Sequence, residues 1–173
     1  MFLQACVDAG PDACALYEPT ASAIHARIHR LFEKLKASPV PVDMSEVPYP
    51  LSVPYGLIDY KAVKALLFLF LYIPYDNGML SAPRLAAALR DLENGDGVKL
   101  WGVLGLFALK FTCECPVPGH PLPPIPTPDT QHAIYCTDGD QISDTVEDLQ
   151  KKFALLAKES EFADVFQIAG TCM

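Results

Sequence analysis

"TASAIHARIHRLFEKLKASPVPV", Thr20 to Val42, carries apolar side chains at Ile24, Ile28, Leu31, Phe32 and Leu35. Steps of three and four residues put all five on one stripe of a 3.6-residue helix, with polar and charged residues around the rest. Thr20 or Ser22 supplies the N-cap and Pro39 the stop. Such a helix is stable only when its stripe is buried, so the surrounding chain has to provide cover.

Upstream, "FLQACVDAGPDACALYEP" (Phe2–Pro19) sets Cys6 and Cys14 on either side of a Gly-Pro turn. Met1, Phe2, Leu3 and Ala5 read as the last turn of a helix that Gly10 ends and Pro11 does not continue. The first turn of that helix is expected in chain upstream of Met1. Downstream, Pro39 to Gly56 is rich in proline without a sustained period and reads as an irregular connection. Asp59 caps a hydrophobic helix, "AVKALLFLFLYI" (Ala62–Ile73), closing at Pro74. Ser81 begins another, with Pro83 in its first turn and Gly95 as C-cap, and a further helix after Gly97 carries Leu100, Trp101, Leu104 and Phe107. The fold class expected is mainly α.

Residues 113–130, "CECPVPGHPLPPIPTPDT", form a proline-dense loop. A short β-prone segment follows near 133–136. Asp144 and Glu147 are positioned to cap a last helix that bears Val146, Leu149, Phe153 and Leu156. The organisation expected is a helical region over 1–130 and a segment with C-terminal helices over 131–173.

Composition narrows the function classes. With 173 residues and 51% hydrophobic residues the chain can bury a core of its own. A formal charge of -8 with scattered Lys and Arg opposes nucleic acid or an anionic lipid surface as partner. The apolar run at 62–73 is too short to span a bilayer and contains Lys64, so no membrane span is expected. No segment has the layout of a secretory signal.

Six cysteines are compatible with reduced intracellular thiols or with disulfides. Cys6–Cys14 across its turn and Cys136–Cys172 across the last helical region are the pairs expected. By the loop-closure relation they would contribute about 2.5 and about 4 kcal/mol respectively, if unstrained.

No motif for catalysis, cofactor or metal is complete. There is no G-x-S-x-G elbow and no Gly-rich phosphate loop, so no catalytic residue and no cofactor is expected. His25 and His29 lie four apart, but Ala26 stands where H-E-x-x-H needs Glu, and Arg27 and Arg30 oppose a cation. Cys113, Cys115 and His120 make an incomplete zinc set. Asp138-Gly139-Asp140 has its glycine misplaced for a calcium loop, with Leu149 where the bidentate Glu belongs. Metal is therefore not expected. A cysteine nucleophile at Cys136 beside His132 is excluded if Cys136 is oxidised.

Taken in order, "FLQACVDAGPDACA", "IHARIHRLFEKLKASPVPV", "GLIDYKAVKALLF" with "YIPY", "RLAAALRDLENGDG" and "HAIYCTDGDQISDTVEDLQKKF" resemble fungal hydrolases of the tripeptidyl-aminopeptidase-like branch of the α/β-hydrolases. The likeness runs over nearly the whole chain except the proline-dense loop. It implies that this region is the helical cap, or lid, with the segment returning to the hydrolase core, from a secreted serine hydrolase. The elbow serine would then lie upstream and the catalytic Asp and His downstream.

A lid of this kind covers a peptide or small-ester substrate, and Trp101, Phe70 and Tyr72 are the candidates for lining the pocket, or for core. The chain alone would be inactive and, with its core-facing surface exposed, inclined to self-associate. The alternative is a small disulfide-stapled secreted helical binding protein that reuses a cap scaffold.

Overall fold

The computed structural model describes residues 2–46, 53–72, 81–107, 134, 137 and 144–165. The chain forms two compact units, Met1–Phe111 and Thr112–Met173. The described residues are mainly helical, with one small two-stranded sheet.

In the first unit, α1 (Phe2–Ala9) ends at Gly10, whose φ of +79° lies in the left-handed region that a residue without Cβ enters at no steric cost. The Gly10 carbonyl accepts from the Ala13 and Cys14 amides at 3.3 and 3.0 Å, and this turn sends the chain back along α1. Cys14 thereby meets Cys6 in a disulfide with Cα atoms 5.3 Å apart, both residues buried.

Helix α2 (Ala21–Ala37) starts at Thr20, whose side chain accepts from the Ala23 amide. Its buried residues are Ile24, Ile28, Leu31, Phe32 and Leu35, the stripe read from the periodicity. Helices α1 and α3 pack against it.

The connection after α2 departs from the irregular loop expected over 39–56. Val40–Asp43 (β1) and Tyr55–Ile58 (β2) pair antiparallel, with Val40 opposite Ile58 and Pro41 opposite Leu57. The Met44 amide donates to the Pro54 carbonyl at 2.6 Å, which carries the same register one step beyond the strands. Antiparallel alternation then makes 42/56 and 40/58 the hydrogen-bonded pairs. Pro41 falls at a non-bonded position, where its missing N–H leaves the ladder intact. Val40 and Val42 face the core, whereas Pro41 and Asp43 face out.

Helix α3 (Tyr60–Phe70) is capped by Asp59, whose carboxylate accepts from the Ala62 amide at 2.8 Å. It stops before the expected Ile73. The Leu71 and Tyr72 amides bond three residues back, to Phe68 and Leu69, and close the helix with a tighter turn. Pro74 lies outside the described residues.

Helix α4 (Ala82–Glu93) follows Ser81, which occupies the cap position without a side-chain cap bond. Its C-terminus is closed by two bonds, Gly95 N–H to Leu92 O and Asp96 N–H to Asp91 O, around Gly95 at φ +87°. That pattern is the Schellman motif, which requires a residue tolerant of the left-handed region at Gly95. Helix α5 (Val98–Phe107) then buries Leu100, Trp101 and Val103.

Two glycines admit α5 onto the sheet. A Cβ on Gly97 would stand 2.6 Å from both Ile58 Cδ1 and Val42 Cγ2, and one on Gly56 would enter the Trp101 indole. Arg27 of α2 grips Glu93 of α4 in a bidentate ion pair at 2.7–3.1 Å, and Lys34 Nζ donates to the Glu93 carbonyl at 2.6 Å.

In the second unit, Ile134 and Thr137 are helical, so the β-prone reading of 133–136 does not hold at Ile134; residues 133, 135 and 136 lie outside the described residues. The Thr137 hydroxyl donates to the Ile134 carbonyl at 3.4 Å, a local bond that helical backbone permits to a β-branched residue. Helix α6 (Val146–Glu159) is capped by Thr145 and Asp148 rather than by Asp144 and Glu147. Only the third helical residue reaches back to the cap amide, so Asp148 accepts from Thr145 N–H and hydroxyl while Asp144 pairs with Lys152.

Gly97, just before α5, and Gly102, within it, generate opposite expectations. Gly97→Ala crowds buried Ile58 and Val42 and should cost about 1–3 kcal/mol. Gly102→Ala, where an added Cβ meets nothing within 4 Å, should stabilise by about 0.5–1 kcal/mol through helix propensity. Urea midpoints at unchanged slope measure both.

Candidate functional site

Among the described residues the buried set is entirely apolar, with no buried polar or charged residue. The interior of the described regions therefore holds no desolvated acid or base of the kind a catalytic centre uses.

The three aromatic residues read as pocket candidates are placed separately. Phe70 is buried and meets the Phe2 ring edge-on at 5.4 Å, joining α3 to α1. Trp101 is buried over Gly56, and its Nε1–H donates to the Val53 carbonyl at 3.0 Å. Tyr72 is 67% exposed and meets Phe68 edge-on at 5.4 Å. Phe70 and Trp101 thus pack in the core, and Tyr72 stands at the surface just beyond α3.

Sequence reasoning passed over the outer face of β2. Tyr55 and Leu57 alternate with Gly56 and Ile58 along the strand and are 65% and 63% exposed. The signal was present as the Tyr-Gly-Leu-Ile alternation opposite Val-Pro-Val-Asp, but the prolines around it masked a strand pattern. On α6 the stripe Val146, Leu149, Phe153 and Leu156 has the spacing expected, yet none of the helix's residues is buried.

Cys6 and Cys14 form the disulfide already described. Cys136 and Cys172, together with Cys113, Cys115, His120 and His132, lie outside the described residues. No described helix is long and apolar enough to cross a membrane.

The polar arrangements lie on the surface of the first unit. His25 and His29 approach with ring centroids 4.4 Å apart, and His29 meets Phe32 edge-on at 5.7 Å. Arg27, between them in sequence, turns to Glu93 and to Glu18 at 3.5 Å. Its hydrogen bonds to the Glu93 carboxylate are the main reason the Arg27 guanidinium binds its proton more tightly than usual. Tyr60 lies between Lys36 and Lys64, whose ammonium groups stand 4.6 and 5.2 Å from the ring centre.

Comparison of the chain with family models, with curated proteins and with solved structures gives no match.

The carboxylates generate a pH expectation. Lys99, then Arg90, hold Asp91 below the ordinary aspartate range; Thr145 does the same for Asp148, and Ser45 for Asp43. A carboxyl depressed in the folded state contributes stability that is present above its unfolded value, about 3.9, and is lost as pH falls through the folded value. Thermal midpoints should therefore be level above about pH 5 and fall below about pH 4. Asp91→Asn, on the most enclosed of the three, should flatten that acid limb.

Proposed function

We propose that the chain is the helical cap region and return segment of a secreted serine hydrolase of the tripeptidyl-aminopeptidase-like α/β-hydrolase type. Its role is to gate a peptide or small-ester substrate. The catalytic serine, aspartate and histidine belong to a hydrolase core that this chain supplements.

One observation carries the reading furthest: α6 has a complete helical-period apolar stripe, Val146, Leu149, Phe153 and Leu156, and none of it is buried. Leu155 beside it is exposed as well. A helix in an α/β-hydrolase lays such a stripe on the core sheet, so the stripe fits a surface that a core would supply. The ordered resemblance of five segments supports the same reading, and the Cys6–Cys14 bond is compatible with secretion. In this account a Cys136–Cys172 pair fastens the return segment.

A lid acts without touching the reacting atoms. It excludes water and limits which substrate end enters, while the core supplies nucleophile, base and oxyanion donors. The second reading, a disulfide-stapled helical binding protein, is favoured by the closed apolar core of the first unit, where α2, α3 and α5 bury their stripes.

The purified chain should turn over no aminoacyl, peptidyl or short-ester chromogenic substrate above a buffer blank, and no serine should take a fluorophosphonate label. Transcript sequence around the reading frame should encode G-x-S-x-G upstream and the Asp and His downstream. Specific serine labelling would overturn the inactivity. A transcript encoding only a secretory signal and this chain would transfer the reading to the binding protein. Six alkylatable thiols in native-source protein would remove the secreted assignment.

A further inference from the structure

Helix α2 sets His25 and His29 one turn apart on the same side, the first half-buried and the second exposed. Each ring offers a nitrogen, and these lie within 4.8 Å of one another. The helix carrying them is held by the Thr20 cap and by its buried stripe, so the spacing of the two backbone positions is set before any ligand arrives.

We propose that His25 and His29 form a two-histidine chelate for a divalent transition metal ion of the zinc and copper class. Imidazole nitrogen is a borderline donor suited to these ions and unsuited to calcium or magnesium. Once one ring binds, the second meets the ion at a high effective concentration because both are mounted on one rigid turn. Rotation about the side-chain bonds brings the nitrogens to the separation that a shared ion needs.

The charge objection raised by the sequence weakens in the fold. Arg27 is held in the bidentate pair with Glu93 and lies near Glu18, so its positive charge is balanced by two carboxylates. Ala26 in the place of the H-E-x-x-H glutamate removes a general base from the helix, so the site binds and stabilises rather than hydrolyses. This inference is independent of the hydrolase reading, since a cap and a binding protein would carry the site equally.

The test is calorimetric titration of the full chain with zinc chloride and, separately, copper chloride, after alkylating accessible thiols so that Cys113 and Cys115 do not contribute. Saturation at one ion per chain is expected, with copper tighter than zinc in the Irving–Williams order. His29→Gln should abolish that step. So should the composition-preserving exchange of His29→Arg with Arg30→His, which breaks the spacing; circular dichroism should show the fold retained in both. His120→Gln and His132→Gln should leave it unchanged. No saturable binding by the parent chain, undiminished binding after His29→Gln or the exchange, or loss on changing His120 or His132 would each overturn the proposal.

Discussion

The first unit depends on burying the stripe of α2. Ile24, Ile28, Leu31, Phe32 and Leu35 are all withdrawn from water, each worth about 1.5–3 kcal/mol of transfer free energy. The elements around α2 are arranged to make that burial possible. The Cys6–Cys14 bond holds α1 back against it, and Phe2 reaches across to Phe70 so that α1 and α3 close together. The Arg27–Glu93 pair ties in α4. Helix α5 then covers the sheet through the openings left by Gly56 and Gly97.

Local physics explains how much of this was legible. The α2 stripe, the Asp59 cap and the left-handed glycines at 10 and 95 are decided within a few residues, and each signal stands in the sequence unopposed, whereas Thr20 and Ser22 both offered a cap for α2 and the structure uses Thr20. The β1–β2 pair was not legible, because Pro39, Pro41 and Pro54 oppose a strand unless the register is known. Only the long-range pairing puts Pro41 at a non-bonded position and uses Pro54 as an acceptor. The cap of α6 was misplaced by one residue because Asp144, Thr145, Glu147 and Asp148 offer two overlapping motifs, and the geometry of the third helical residue selects one.

The candidate site was legible to a different degree. The turn joining Cys6 to Cys14 follows from Gly10-Pro11 and local chain reversal. Aromatic character alone did not separate core from surface among Phe70, Trp101 and Tyr72, since all three belong to strongly apolar helices or their ends. What divides them is where α3 stops: Phe70 falls within its last turn and faces α1, while Tyr72 falls beyond it. Helix α3 buries Val63, Leu66, Leu67 and Phe70 and α5 buries Leu100, Trp101 and Val103, while among the described residues large apolar side chains stay exposed at Leu71, Tyr72, Val98 and Ile134 and, in alternating or striped form, on β2 and α6.

That surface is the physical core of the functional account, because a cap presents apolar side chains to a partner and an independent protein covers them. Light scattering of the oxidised chain over a range of concentrations, with hydrophobic-dye binding and a denaturation curve on the same samples, measures it directly. The account predicts concentration-dependent association and dye binding that Phe153→Lys with Leu156→Lys reduces. A monomer at every concentration that binds no dye and unfolds in one sharp transition would contradict it.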